Sequence, residues 1–218
     1  MPKSSAERTR SRREEIISAC AGLYAVKSFK EITLKEIGNA TSFTRTSIYN
    51  YFQTKEEIFL ALLQREYRLW IDSLQRLRQE HAALDRTAFA AAIAHSLEER
   101  TNLLKLLSMN HYDLEENCRL EQLAAFKVVY GQSMTEMHAC LRQFFPAMPE
   151  PEQTAFLYGF FPFLFGVYPY SHVTEKQKKA MQLAGVPYVF HTVYEMIFAE
   201  VQSLLHDREP APQNGLSG

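Results

Sequence analysis

The chain has 218 residues, 46% of them hydrophobic and 22% charged, with a formal net charge of −1. Length and apolar content suffice for one large or two small cored domains, and the near-neutral total by itself points to no polyanionic partner. The distribution does: residues 1–60 hold ten Lys/Arg against seven Asp/Glu, and residues 61–218 hold fourteen against eighteen, so a mildly basic head on an acidic body suits nucleic-acid contact at one end only.

Three widely spaced cysteines, Cys20, Cys118 and Cys140, make neither a disulfide framework nor a metal cluster and fit a reducing cytoplasm. The N-terminus is basic but no apolar run follows it, so no signal peptide is expected. Residues 1–13 carry five cations and one acid and read as a disordered arm. That arm is either a solvated terminus or a contact for phosphates or a minor groove. A first helix is predicted from near Ser11, with Ile16, Cys20, Leu23 and Tyr24 as its buried stripe and Phe29 packing at its end.

The stretch Ile32–Lys55 then reads as two short helices joined by a tight turn. Thr33 and Glu36 have the spacing of a capping box, and Leu34, Ile37 and Ala40 follow at helical intervals. Thr41 and Ser42 compete for backbone hydrogen bonds and break that helix. Thr44 caps a second helix on which Ile48 and Phe52 share one face. The other face presents Arg45, Thr46, Ser47, Tyr49, Asn50 and Tyr51, a set of hydroxyls, an amide and a guanidinium suited to a DNA major groove. A helix pair of this shape also occurs in all-helical proteins that never touch DNA, so the pattern alone leaves DNA binding open.

The residues Thr33-Leu34-Lys35-Glu36-Ile37 and Ser47-Ile48-Tyr49-Asn50-Tyr51-Phe52-Gln53-Thr54-Lys55-Glu56-Glu57-Ile58 resemble the DNA-binding module of the TetR family of bacterial regulators. The resemblance covers about the first quarter of the chain; the remainder is similar only in length and helical character. Two departures are visible: Ser42 stands where the family has its turn glycine, and Gly38 where alanine is usual. Serine tolerates positive φ less freely than glycine, so slight strain is expected in the turn. The resemblance implies that Arg45, Thr46, Ser47 and Asn50 read bases, and that Lys35, Thr44, Tyr49, Tyr51 and Lys55 hold phosphates.

A long helix from about Thr54 to Glu80 carries Phe59, Leu62, Leu63, Trp70, Leu74 and Leu77 at helical spacing and connects head to body. Two helices are expected between Asp85 and Asn110, joined near Arg100–Asn102, and then a loop over HYDLEEN (111–117). His111, Asp113, Glu115 and Cys118 lie near one another in sequence but read as structural rather than metal-binding. A helix from Cys118 to about Phe145 shows Leu123, Tyr130, Met134, Met137 and Leu141, and Pro146, Pro149 and Pro151 punctuate its end.

From Gln153 to Thr174 there is no charged residue. The segment is long enough to span a bilayer. However, Pro162, Pro169 and the tyrosines through its middle favour a helix buried between body and partner subunit, kinked at Pro162. Glu175–Lys179 reads as a polar joint before a last helix, about Tyr188–His206. Its wide stripe includes Phe190, Tyr194, Ile197, Phe198 and Val201, expected at a two-fold interface. The tail has the composition of disorder.

No phosphate loop, His-Glu-x-x-His, nucleophile elbow or Cys-x-x-Cys is present. Methionines and aromatics in the body, with sparse polar handles, suit an apolar pocket. Leu106, Met109, Phe126, Tyr130, Met134, Met137, Phe160, Phe163, Leu164 and Tyr168 are its expected wall, and Tyr130, His138 and Tyr168 orient a polar end. The reading is an all-α, cytoplasmic, homodimeric regulator without cofactor or metal. An N-terminal three-helix helix-turn-helix domain (1–53) precedes a helical ligand-binding and dimerisation domain (54–207) and a tail (208–218). Its partners are a palindromic double-stranded operator and a mainly apolar or aromatic effector, and no membrane. The alternative is a helical ligand-binding or enzymatic protein whose head is only a protein-interaction module.

Overall fold

The computed structural model describes residues 5–42, 44–109 and 111–206, and only the backbone at 45 and 111–113. Among the described residues there are eleven α-helices and no strand. The predicted tail 208–218 and Lys3 of the predicted arm lie outside them.

The head comprises α1 (Ser5–Val26), a short 3-10 turn (Phe29–Glu31), α2 (Leu34–Asn39) and α3 (Arg45–Ile48). The predicted capping box forms: Thr33 Oγ1 accepts the Glu36 N–H at 3.2 Å, and the Glu36 carboxylate accepts the Thr33 N–H at 2.9 Å. Thr44 caps α3 by accepting from Ser47 N. Ile16, Cys20, Ile37, Ile48 and Phe52 are fully buried, so the three helices close on one apolar centre. No described non-glycine residue has positive φ. Ser42 therefore fits its turn without the strain expected from replacing glycine.

Helix α4 (Lys55–Glu80) is the spine between head and body. Near its start Phe59 meets Tyr24 and Phe29 edge-on, with ring centroids 5.1 and 4.8 Å apart. Farther along, Tyr67 and Trp70 are buried in the body. The body is built of α5 (Arg86–Glu98), α6 (Thr101–Leu107), α7 (His111–Glu116), α8 (Leu120–Phe144), α9 (Glu150–Ser171), α10 (Glu175–Leu183) and α11 (Val193–Leu204). α8 lies along α4, α11 packs on α5 and α9, and α6 packs on α9. Gly159 is the crossing point of α9 and α11: a Cβ there would stand 2.8 Å from Leu204 Cδ2.

Several boundaries differ from the expected ones. α1 begins at Ser5 rather than near Ser11, and residues 111–116 are helical rather than a loop. The supposed polar joint opens α10, because Thr174 and Gln177 form a capping box. The last helix begins at Val193, not Tyr188, because Thr192 and Glu195 form another. α9 continues through Pro162 and Pro169, and Pro151 occupies its first turn, where a missing N–H costs nothing. No described helix is long and apolar enough to cross a membrane.

Candidate nucleic-acid interface and effector core

The face opposite buried Ile48 and Phe52 is the candidate interface. Thr46, Tyr49 and Asn50 are exposed on it, as are Lys35 on α2 and the cap residue Thr44. Ser47 is half-buried, with its Oγ 3.1 Å from Thr44 Oγ1. The helical turn continues past α3 through hydrogen bonds from Tyr51 N and Phe52 N to the Ile48 carbonyl, which keeps Tyr49 and Asn50 in register with Thr46. The side chain of Arg45 lies outside the described residues.

Two residues near this face are used inside the head. Lys55 Nζ donates to the carbonyls of Phe29 and Ile32, so the ammonium predicted to hold a phosphate points inward. Tyr51 is half-buried, and its hydroxyl accepts from Arg12 at 3.3 Å while its carbonyl accepts from Arg13 at 3.1 Å. Arg13 also lies over the Phe52 ring. Glu15 Oε1 accepts the Ser42 N–H at 2.7 Å, tying α1 to the turn. In the sequence Arg12 counts only among the cations of the arm and Glu15 is passed over, although their spacing, three apart on a helix, is the available signal.

Besides Arg13 donating to Gln122 Oε1 at 3.4 Å and Arg65 donating to Ser18 Oγ at 2.9 Å, the head is fastened to the body at two places. Glu57 in the first turn of α4 has a wholly buried side chain, gripped by Arg119 Nε at 2.6 Å and by its second guanidinium nitrogen at 2.9 Å. The backbone N–H groups of Gln53 and Arg119 complete its shell at 2.8 and 3.2 Å. Burial pushes the carboxyl up, but these donors outweigh it and leave the group below its ordinary value. At the second place Lys105 of α6 donates to the carbonyls of Tyr24 and Lys27 near the end of α1, and Tyr24 Oη donates to the Lys105 carbonyl. Nothing in the sequence pairs Glu57 with Arg119, because the partners are brought together only by the packing of α8 on α4.

Of the predicted effector wall, Leu106, Met137, Phe160 and Leu164 are fully buried and Phe126 nearly so, while Met109, Tyr130, Met134, His138, Phe163 and Tyr168 are half-buried. They do converge. Tyr130 meets Tyr67 and Phe161 edge-on at 5.8 and 5.7 Å, and Trp70 packs against Phe160 and Phe161 at 6.3 and 5.9 Å. These rings pack against one another between α4, α8 and α9. His138 Nε2 lies 3.2 Å from the Glu150 carboxylate, at ion-pair distance without hydrogen-bond alignment. Tyr168 stacks on His172 at 4.2 Å. A separate concavity of about 650 Å³ opens at the far end of the body between Phe144–Pro151, Phe156 and Leu204–His206, and contains none of the predicted wall.

Of the predicted interface residues, Ile197 and Val201 are buried within the subunit, Tyr194 and Phe198 are half-buried, and Phe190 precedes α11 and is exposed. α9, also expected against the partner subunit, carries an outward stripe in which Ala155, Tyr158, Pro162 and Pro169 are exposed at helical spacing. Cys20, Cys118 and Cys140 are free, and burial pushes each thiol up to about 12, which disfavours the thiolate that nucleophilic or metal chemistry needs. The described residues include no metal-sized group of His, Cys, Asp or Glu, and the side chains of His111 and Asp113 lie outside them.

Residues 16–62 match the N-terminal profile described as bacterial regulatory proteins, tetR family, and residues 64–205 match the tetracyclin repressor-like C-terminal domain. No curated protein matches the chain in sequence. Among solved structures, the fatty acid degradation regulator FadR from Bacillus halodurans is similar at 15% identity and TM-score 0.58, over 94% of this chain and 97% of that one. Thermus thermophilus FadR, a TetR-family repressor in complex with lauroyl-CoA, is similar at 16% identity and TM-score 0.56, over 93% and 100%. A TetR/AcrR-family regulator from Thermobifida fusca YX-ER1 is similar at 15% and 0.53, over 92% and 100%. At these identities the likeness is one of fold.

Proposed function

Because the chain belongs to the TetR family of bacterial regulatory proteins, we propose that it is a cytoplasmic repressor. In this reading a homodimer sits on a palindromic operator and is released by a small, mainly apolar or aromatic molecule. The observation that carries this is the division of the α3 turn: Ile48 and Phe52 are fully buried while Thr46, Tyr49 and Asn50 face solvent. A protein-interaction module would have no need of a short polar face flanked by cations, whereas base edges and phosphates do.

Residues 1–53 form the reading head and residues 54–207 the ligand-binding and dimerisation body. Base reading falls to Arg45, Thr46, Ser47 and Asn50, and phosphate contact to Lys35, Thr44, Tyr49 and Tyr51; Lys55 positions α4 rather than touching DNA. The effector enters the ring cluster of Phe126, Tyr130, Phe160 and Phe161, beside Phe163, and separates it. An apolar ligand is favoured there because the surrounding α8 offers few cations, and a buried unpaired anion is costly. The lauroyl-CoA in the Thermus relative makes acyl chains reasonable first probes.

Selection of duplexes from a random pool by the full-length protein tests the reading. A two-fold symmetric consensus supports it. No enrichment, with the protein folded, overturns it in favour of an interaction module.

A further inference from the structure

On α1, Arg8, Arg12 and Glu15 recur at i, i+4 and i+7 and share one face. Two of the three touch the helix-turn-helix: Glu15 holds the Ser42 amide in its turn, and Arg12 reaches the Tyr51 hydroxyl just beyond α3. The row therefore runs beside the recognition turn, and Arg8 stands one helical turn, about 5.4 Å, farther out. Residues 5–12 are all exposed, and the first buried residue of α1 is Ile16. No packing accounts for the composition of these turns.

Within the subunit Arg12 is held by the Tyr51 hydroxyl and by attraction to Glu15, and Arg8 stands a turn beyond both. Arg8 and Arg12 are like charges four residues apart on one face of α1, a mildly unfavourable pair. Glu7 is the sole acid among residues 5–12. An anionic rail alongside this helix would turn an unfavourable arrangement into a favourable one, and the backbone of a duplex engaged by α3 supplies such a rail.

We infer that Arg8 and Arg12 form a phosphate-contacting row that extends the DNA interface from the recognition helix onto α1. The inference rests on the DNA-binding reading and deepens it with residues outside the family motif. Arg10 lies on the opposite side of the helix from Arg8 and is not part of the row. It has the same charge in the same helix, and so it is an internal control.

The test is fluorescence anisotropy of the full-length protein with a random-sequence duplex across a salt series. The logarithm of affinity falls linearly with the logarithm of salt, with a slope that reflects the number of neutralised phosphates. Arg8→Gln should flatten the slope by about 0.9 for each phosphate it no longer neutralises, Arg12→Gln should do likewise, and Arg10→Gln should leave it unchanged. All three sites are exposed, so circular dichroism should show no loss of fold. Equal slopes for wild type and Arg8→Gln overturn the row, as does an Arg10→Gln effect as large as that of Arg8→Gln, which would mean undirected charge. If the wild type binds no duplex at all, the DNA-binding reading itself fails, an outcome separate from the first two.

Discussion

Lys55 Nζ lies 2.9 Å from the carbonyl oxygen of Phe29 and 4.0 Å from the centre of its ring. A second bond, 3.1 Å to the Ile32 carbonyl, anchors the first residue of α4 to the chain entering α2. The ammonium thus fixes how the spine leaves the head. Lys55→Met should keep the aliphatic stem but orphan two carbonyls, lowering stability by about 1.5–3 kcal/mol. DNA affinity should then fall for all sequences alike with little change in salt slope, whereas a residue that neutralised a phosphate would lower the slope by about 0.9 on removal. Thermal unfolding and salt titrations together separate the two roles.

Glu57 and Arg119 make the head sensitive to acid. The Glu57 carboxyl is held below its ordinary value in the folded chain. Such a group contributes stability above its unfolded pKa of about 4.3 and loses it as pH falls through the folded pKa. Wild-type stability should therefore decline as pH drops below the usual carboxylate range, and Glu57→Gln should flatten that limb. At neutral pH Arg119→Ala should lower stability, because the buried Glu57 carboxylate loses its guanidinium, although it keeps the Gln53 N–H. Urea titrations at neutral and acid pH read both effects.

Much of the fold was legible because it is local. Thr33 with Glu36 and Thr44 before Ile48 announce their helices in the sequence, and both caps form. The boundaries that slipped had equally plain signals: Thr174 with Gln177 and Thr192 with Glu195 are capping boxes as regular as the first. The apolar run at Tyr188–Phe190 masks the second of these in the sequence, yet it precedes the helix. What was not legible is long-range. Period 3.6 marks Ile197 and Val201 as apolar-facing but cannot say whether α5 and α9 or a second copy covers them. Nor can any spacing show that Lys55 is satisfied by two carbonyls more than twenty residues earlier.

Thr46 and Asn50, one turn apart on the exposed face, should govern sequence choice. Asn50→Ala should relax preference at one position of the selected operator by about 1–3 kcal/mol while leaving binding to random duplex nearly unchanged. Competition assays against single-base operator variants check this. A uniform loss across all variants would assign Asn50 to the backbone instead.

The α9 stripe gives a cleaner dimer test than α11. Tyr158 is 70% exposed in the isolated subunit, whereas Val201 is fully buried in it. Tyr158→Glu should yield folded monomers, because a charge there meets only the partner. Val201→Glu should instead unfold the body by burying an unpaired carboxylate. Sedimentation velocity with circular dichroism distinguishes the two, and a Tyr158→Glu dimer of unchanged strength would remove this face from the interface.

Trp70 is the chain's single tryptophan and sits against Phe160 and Phe161, with its indole N–H donated to Ser96 Oγ at 3.1 Å. A ligand that parts these rings must change its surroundings. Lauroyl-CoA and free aromatic acids titrated onto the protein should therefore shift Trp70 emission if they enter the predicted core. Occupation of the far concavity near Phe144 and Leu204 should leave it nearly unmoved. Linkage then ties the core to the head: a ligand that weakens operator binding must itself bind the operator-bound protein less tightly, by the same factor. The route is short, because α8 carries Phe126 and Tyr130 on the ring cluster and begins immediately after Arg119, the residue clasping Glu57. Arg119→Ala should accordingly reduce that factor toward one while leaving the Trp70 response to ligand intact. Titrations with and without operator, followed through Trp70, measure it. An unchanged factor in the variant would show that the clasp holds the head without transmitting the ligand's effect.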